Sequence, residues 1–311
     1  MKTMSAIGFS RLLAGGIELD TSPENFGFLS DSTEWLGNPE ALRARMEQDG
    51  YLFLPGFLDR EEVKGARHAI CQTLLAEGLL EDNSPPDAAL AKAGIEPYFR
   101  PDIANGPESG KLIRNVIYGG RMMAFFDCFL GGKSTHYDYT WMRSVAPGKG
   151  TYPHCDVVYM GRGTKNLYTA WVPFGDVSLE VGGLILIEGS HHNERLRNTY
   201  CTLDVDTACQ NRSNESELNA AGYPGFGALS FDLRSTREAV GGRLLTAKEF
   251  RMGDVLIFSI FTVHGSLDNQ SKEIRLSTDS RYQLASEPLD ERWVGEAPPA
   301  HGGNSIKGMI C

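Results

Sequence analysis

The sequence lacks any apolar run that approaches the roughly 20 residues needed to cross a membrane. Residues 1–20 are broken by glycines and have no continuous apolar core, so no secretion signal is predicted. Basic residues are in deficit, with 30 Lys and Arg against 40 Asp and Glu and a formal net charge of −10. Because nucleic acids and anionic membranes bind basic surfaces, neither is an expected partner. These absences predict a soluble, cytoplasmic protein.

The sequence also lacks paired cysteine spacings. Its six cysteines form no Cys-x-x-Cys motif, and no secretion signal precedes them. They are therefore expected to be reduced thiols in a reducing compartment. The six are Cys71, Cys128, Cys155, Cys201, Cys209 and Cys311.

The length of 311 residues and the ordinary composition predict a single domain that spans 1–311. Residues 1–133 are expected to form an arm and supporting helices. Alternating short strands and Gly-rich turns from 134 to 287 indicate a β-sandwich or barrel core. A long polar insertion interrupts this core at 188–250, and a Pro/Gly-rich tail follows at 288–311.

The apolar periodicity changes from helical to alternating near residue 134. The helices are predicted at 39–48, 59–80 and 111–130, the last bent at Gly119-Gly120. The strands are predicted at 50–56, 136–143, 154–158, 166–173, 183–187, 255–264 and 274–282.

A histidine and an aspartate, His154 and Asp156, lie two residues apart after a Pro/Gly-containing turn. On a strand both side chains would point to one face, with Cys155 facing away. An imidazole and a carboxylate so placed can occupy two adjacent positions on a divalent metal. The triplet alone is a weak signal, because it occurs by chance in many proteins.

His264 is the candidate third ligand. Taken alone, His264 is more typical of a buried histidine that hydrogen-bonds to the backbone at the end of an apolar strand. Together with His154 and Asp156 it completes the two-histidine, one-carboxylate set that binds non-haem Fe(II) and leaves positions open for substrate and oxygen.

Arg275 and Ser277 follow on the next predicted strand, with side chains on one face. A buried arginine is costly unless it meets an anion, and a guanidinium beside a hydroxyl suits a carboxylate. A surface arginine on an edge strand is the alternative. Arg281 shares this face, and a structural ion pair is expected for it.

His154-x-Asp156, the 180–191 segment (EVGGLILIEGSH), His264 and Arg275-x-Ser277, in this order, resemble the phytanoyl-CoA dioxygenase family of Fe(II)/2-oxoglutarate-dependent oxygenases. The resemblance covers about residues 40–295. It implies a mainly β fold with a helical N-terminal part, a double-stranded β-helix (jelly roll, cupin-like).

The resemblance also implies site roles. His154, Asp156 and His264 would bind iron, and Arg275 and Ser277 would hold the distal carboxylate of 2-oxoglutarate, with O2 as the oxidant. Trp171 would line the pocket, and Thr140 with Met142 would face the cosubstrate.

The implied activity is hydroxylation of an unactivated C–H bond of a small-molecule substrate, with release of succinate and CO2. Desaturation, epimerisation and ring closure begin with the same hydrogen abstraction and stay open.

The retained Asp156 carboxylate disfavours halogenation. A non-catalytic metal- or ligand-binding jelly roll would not need Arg275, and a zinc hydrolase would need a general base that the sequence does not offer. The loops at 81–109 and 193–245 are expected to set specificity.

Overall fold

The computed structural model describes residues 11–96, 98–208 and 227–301. Its helices are α1 (Pro39–Asp49), α2 (Arg60–Ala76), α3 (Pro101–Ala104), α4 (Ser109–Tyr118), α5 (Gly120–Leu130), α6 (Val157–Met160), α7 (Glu194–Asn198), α8 (Val205–Ala208) and α9 (Leu233–Val240). Its strands are β1 (Leu13–Ala14), β2 (Ile17–Glu18), β3 (Phe26–Phe28), β4 (Tyr51–Leu54), β5 (Ser134–His136), β6 (Trp141–Val145), β7 (Tyr168–Pro173), β8 (Val177–Ser178), β9 (Leu184–Ile187), β10 (Leu244–Thr246), β11 (Glu249–Phe250), β12 (Val255–Ser259), β13 (His264–Ser266) and β14 (Arg275–Leu284).

Local sequence signals determine where the helices begin and end. The Asp59 side chain accepts hydrogen bonds from the backbone N–H groups of Glu61 and Glu62, which caps α2. The predicted bend in 111–130 is a complete break between α4 and α5. A side chain at Gly119 would place its Cβ 2.0 Å from the Asn115 carbonyl oxygen, so only glycine fits the break.

Two sheets form the β-rich part. The six-stranded sheet has the order β4-β12-β7-β14-β5, and β6 also pairs with β14. The four-stranded sheet has the order β13-β9-β10-β3. Strands β3 and β4 come from the N-terminal region, so this region contributes one strand to each sheet.

Side-chain alternation divides the core into layers on either side of the six-stranded sheet. Val255 and Ile257 of β12 belong to the apolar cluster that includes the helices α2, α4 and α5. Leu256 and Phe258 belong to a second cluster with Leu186 of the four-stranded sheet. Every second side chain of β12 therefore points into the interior between the two sheets.

The structure corrects three of the predicted strands. Residues 136–143 do not form one continuous strand, because β5 ends at His136 and β6 begins at Trp141. Residues 154–158 do not form one, because His154 makes only a single bridge to His264 and helix α6 begins at Val157. The predicted strand 255–264 is broken, because β12 ends at Ser259 and a turn follows in which the Thr262 N–H donates to the Ser259 carbonyl at 2.9 Å. The turn residues Ile260 and Val263 are fully buried, so they look like strand residues in the sequence.

The described parts of the predicted insertion at 188–250 contain several regular elements. They supply α7, α8 and α9, and then β10, which pairs with both β9 and β3. The described residues include no helix with the length and apolar character needed to cross a lipid bilayer.

Candidate metal centre and cavity

His154, Asp156 and His264 converge on one buried point. The Nε2 atom of His154 lies 3.7 Å from Oδ1 of Asp156, and Nε2 of His264 lies 3.8 Å from the same oxygen. One ligand atom from each residue lies within 4.8 Å of the others. Two imidazoles and one carboxylate at this spacing form a donor set that fits a divalent non-haem iron.

The two imidazoles are oriented by the backbone. Nδ1 of His154 lies 2.8 Å from the Tyr152 carbonyl oxygen, and Nδ1 of His264 lies 3.0 Å from that of Thr262. Each Nδ1–H can therefore donate to a carbonyl, which leaves the Nε2 lone pair available for a metal. Backbone N–H groups of His154 and His264 also donate to each other's carbonyl oxygens, each at 2.9 Å.

Burial keeps both imidazoles neutral, as metal ligation requires. Burial, followed by repulsion from His264, lowers the pKa of His154 to about 3. Burial also lowers the pKa of His264. Both rings are therefore in the neutral form at neutral pH.

Two side chains of the six-stranded sheet bind the second carboxylate oxygen of Asp156, Oδ2. Nη2 of Arg281 lies 3.0 Å from Oδ2, and the Thr169 hydroxyl donates to the same atom. Thr169 and Arg281 are register partners on β7 and β14, so their side chains lie side by side. Burial raises the pKa of Asp156, but Arg281, the two imidazoles and Thr169 outweigh it, and the net pKa is lowered.

The ion pair predicted for Arg281 thus has the candidate metal ligand Asp156 as its partner. Thr169 was not anticipated. The available signal was a polar residue in a buried strand, since Thr169 is fully buried in β7. Its partner depends on the β7–β14 register, which the local sequence does not reveal.

Thr169→Val is expected to weaken Fe(II) binding roughly 10–100-fold, because the hydrogen bond that orients the carboxylate is lost at nearly constant volume. The dissociation constant is measured anaerobically by competition with a chromophoric chelator. Thr278→Val is the matched control, since the buried Thr278 hydroxyl has no hydrogen-bond partner and its strand face is opposite to that of Arg281. Equal affinity in the two variants would contradict an orienting role for Thr169.

Arg275 and Ser277 lie on the same face of β14 as Arg281 and are buried. Nη1 of Arg275 donates to the Gly182 carbonyl, whereas Nε of Arg275 and Oγ of Ser277 have no partner. Among the described residues, no carboxylate lies within ion-pair distance of Arg275. Burial lowers the pKa of Arg275 to about 10, which leaves it cationic at neutral pH. A buried cation and a buried hydroxyl with unused hydrogen-bonding capacity suit an anionic ligand.

The predicted position of Thr140 is corrected. Thr140 hydrogen-bonds to the Tyr118 hydroxyl at 2.9 Å, on the helical side, and Met142 packs there as well. The interior face of β6 carries Trp141 and Arg143 instead, because a shift of one residue turns every side chain to the other face. Trp171 faces the interior and packs against Phe250 at 4.8 Å between ring centroids, and its role in lining the pocket stays a prediction.

A cavity of about 460 Å³ opens beside His154 and Asp156. Tyr98 and Phe99 come from the predicted loop at 81–109, and Phe231 comes from the predicted loop at 193–245. Both loops therefore border the cavity, as expected of specificity elements. The aromatic lining residues are Tyr98, Phe99, Trp141, Tyr152, Tyr159 and Phe231.

Polar groups at the cavity come from the six-stranded sheet and from the tail. Arg281 packs its guanidinium over the Trp141 ring at 4.4 Å, and Arg143 pairs with Asp279 at 2.5 Å. His301 also lines the cavity, and its Nδ1 lies 2.9 Å from Oδ1 of Asp206. Sequence reasoning assigned no role to His301 or Arg143.

A buried ionic network ties the tail to this region. The Arg292 side chain is fully buried and pairs with Asp290 and Asp206, each at 2.5 Å, and with Asp204 at 3.2 Å. Since Asp206 also contacts His301, the network connects the helix α8 segment with the cavity-lining end of the tail. The remainder of the predicted tail, 302–311, lies outside the described residues.

The two-sheet fold with a two-histidine, one-carboxylate site defines a jelly-roll protein of the non-haem iron class. A family model described as "Phytanoyl-CoA dioxygenase (PhyH)" matches residues 46–277, and the chain belongs to this family. The protein is a 2-oxoglutarate-dependent non-haem iron enzyme. This confirms the family, fold class and activity class predicted from the sequence.

The chain is also similar to individual proteins. The 1-deoxypentalenic acid 11-beta-hydroxylase of Streptomyces arenae is 27% identical over 280 residues, covering 85% of this chain and 87% of that protein. Two solved structures share the fold. EctD from S. alaskensis with bound Fe gives a TM-score of 0.55 at 17% identity, covering 94% of this chain and 90% of that one. The epimerase SnoN, in complex with Fe3+, alpha ketoglutarate and nogalamycin RO, gives 0.53 at 21% identity, covering 88% and 94%.

Proposed function

We propose that this protein hydroxylates an unactivated C–H bond of a small organic molecule, consuming 2-oxoglutarate and releasing succinate and CO2. The observation that carries the proposal is the convergence of His154, Asp156 and His264 beside a cavity large enough for a small molecule. The similarity to a hydroxylase over most of the chain supports hydroxylation as the outcome.

In this proposal His154 Nε2, His264 Nε2 and Asp156 Oδ1 hold the iron. Iron bound there, with 2-oxoglutarate as co-reductant, supplies the oxygen activation. The chain positions the ligands. The Tyr152 and Thr262 carbonyls fix the imidazoles, and Arg281 and Thr169 fix the carboxylate. The aromatic walls exclude water from the substrate side, which limits wasteful oxidation.

Arg275 and Ser277 are proposed to hold the distal carboxylate of 2-oxoglutarate. The unused hydrogen-bonding atoms on both side chains support this role. Ser277 is the register partner of Arg143, which lines the cavity, so these two side chains lie side by side on one face of the sheet. The anchor therefore borders the same space as the metal ligands.

Ser277→Ala is expected to raise KM for 2-oxoglutarate about 10–100-fold, the equivalent of losing one hydrogen bond to a charged group. Initial rates of succinate formation at varied 2-oxoglutarate provide the measurement. Ser144→Ala is the matched control, because Ser144 is also fully buried with an unpartnered hydroxyl and pairs with Leu276 on the non-interior face. Equal increases in KM for Ser144→Ala and Ser277→Ala would contradict the assignment of Ser277 to the distal carboxylate of 2-oxoglutarate.

The substrate is proposed to be compact, largely apolar and acidic. Six aromatic side chains around about 460 Å³ favour an apolar body, and Arg143, Arg281 and His301 at the edges favour an acidic group. Nη1 of Arg281 is buried without a partner and is available to such a group. The name of the relative from Streptomyces arenae specifies a carboxylic acid of this kind.

We further propose that the chain works as one catalytic domain. The strand pairings support this proposal, because β3 and β4 of the N-terminal region and β10 of the insertion are all part of the two sheets.

The function is tested by succinate release under Fe(II), 2-oxoglutarate and O2 with a panel of small apolar acids, beginning with 1-deoxypentalenic acid. The expected result is at least one compound that stimulates succinate release and gains one oxygen atom, detected by mass spectrometry. A product that has lost two hydrogens, or an isomer of unchanged mass, would replace hydroxylation by desaturation, ring closure or epimerisation. No 2-oxoglutarate consumption under any condition would contradict the enzymatic proposal.

A further inference from the structure

Two free thiols lie beside the metal ligands on the side away from the cavity. Cys155 is the residue between His154 and Asp156, and it is fully buried. Its thiol lies 3.4 Å from the Phe261 carbonyl oxygen, and Cys155 and Cys201 belong to the same buried cluster. The Cys155 backbone N–H donates to the hydroxyl of Tyr200, the neighbour of Cys201, at 3.3 Å. The 200–202 turn is therefore held directly against the ligand segment.

Cys201 is reached from outside by a second cavity. This cavity, of about 370 Å³, is lined by Cys201, Phe261 and two cationic side chains, Lys165 and Arg197. The Cys155 thiol lowers the pKa of Cys201, against the effect of burial, and Arg197 and Lys165 lower it further. Cys201 thus has the access and the electropositive environment of a reactive thiol.

We propose that Cys201 is an oxidation site at which a peroxide forms a disulfide with Cys155, and that this bond weakens metal binding. In the first step the Cys201 thiolate attacks hydrogen peroxide, giving a sulfenic acid and hydroxide. The Cys155 thiol then displaces the sulfenic hydroxyl, which leaves as water, and the S–S bond forms. The two thiols lose two electrons and two protons in total, and one peroxide is reduced to two waters.

The effect on the metal follows from the position of Cys155. Forming an S–S bond of about 2.05 Å between two thiols that are not yet bonded requires movement of one or both residues. Cys155 is covalently attached to both ligands of its segment, and its thiol loses the contact with the Phe261 carbonyl. Movement of Cys155 therefore changes the positions of His154 and Asp156 relative to His264.

The experiment uses the full chain with Cys128, Cys209 and Cys311 replaced by serine, loaded with Zn(II). Zinc accepts histidine and carboxylate ligands without redox chemistry of its own. The protein is treated with hydrogen peroxide and quenched with catalase, and disulfides are mapped by peptide mass spectrometry. Zinc affinity is measured by chelator competition before oxidation, after it, and after reduction with a phosphine. Cys201→Ser and Cys71→Ser are the matched variants, since Cys71 is fully buried and burial raises its pKa to about 11.

The expected result is a Cys155–Cys201 disulfide in the parent and in Cys71→Ser, absent in Cys201→Ser. Zinc affinity should fall on the order of tenfold with the bond and recover on reduction. A sulfinic acid at Cys201 without a cross-link would overturn the proposal, and so would a cross-link that leaves zinc affinity unchanged. Failure of the reduced protein to bind zinc would instead contradict the metal site under the proposed function, which separates the two claims.

Discussion

Asp156→Ala is expected to lower succinate formation more than about 100-fold, which exceeds the 10–100-fold typical for loss of a group that only orients a ligand. Asp156 is proposed to supply one of the three donor atoms and is the ion-pair partner of the buried Arg281. The variant therefore loses the metal donor and leaves Arg281 without its carboxylate. Fe(II) binding by equilibrium dialysis and succinate yield provide the two measurements.

The control for Asp156→Ala is Asp254→Ala. Asp254 is also buried, and it accepts hydrogen bonds from the backbone N–H groups of Gly56 and Arg251, away from the metal ligands. Its loss is expected to reduce stability while folded protein retains Fe(II) binding. An Asp156→Ala protein that folds and still binds Fe(II) as tightly as the parent would show that the carboxylate is not a ligand.

Arg292→Met is expected to reduce the free energy of unfolding by about 3–5 kcal/mol, because it leaves a cluster of buried carboxylates without its central cation. Arg292 and Asp290 are fully buried and Asp206 is 8% exposed, so solvent cannot replace the guanidinium. Urea unfolding followed by circular dichroism measures the loss. Because Asp206 also contacts His301, we further expect KM for the organic substrate to rise in folded protein.

The matched control is Arg251→Met, which removes an ion pair with Glu249 at 2.9 Å in which the side chains are 69% and 41% exposed. A solvent-exposed ion pair contributes little to stability, so little change is expected. If Arg292→Met and Arg251→Met lower the free energy of unfolding by the same amount, the network around Asp206 does not hold the tail.

The convergence of the three candidate metal ligands could be predicted from the sequence, although the local structure assumed for them was wrong. His154 and Asp156 were expected to share one face of a strand, but Asp156 lies at the start of a short helix. The two side chains nevertheless converge, because the bridge between His154 and His264 fixes the segment across the two sheets. Residue type and order therefore predicted the site better than secondary structure did.

The groups that support the site depend on long-range register, which the local sequence does not contain. Thr169 and Arg281 meet at Asp156 only because β7 and β14 pair with this offset. The same limitation placed Thr140 in the pocket where Trp141 and Arg143 belong, since one residue of uncertainty at a strand start reverses the face. Arg275 and Ser277 were placed on a common face because residues two apart on one strand share a face whatever the pairing register.

The most direct test of the central claim is the visible spectrum of the anaerobic protein with Fe(II), recorded before and after addition of 2-oxoglutarate. If His154, Asp156 and His264 hold iron that 2-oxoglutarate chelates, a weak visible charge-transfer band appears in the wild type and is absent in His264→Ala. A wild-type protein that develops no band, or a His264→Ala protein whose band is undiminished, would contradict the assignment.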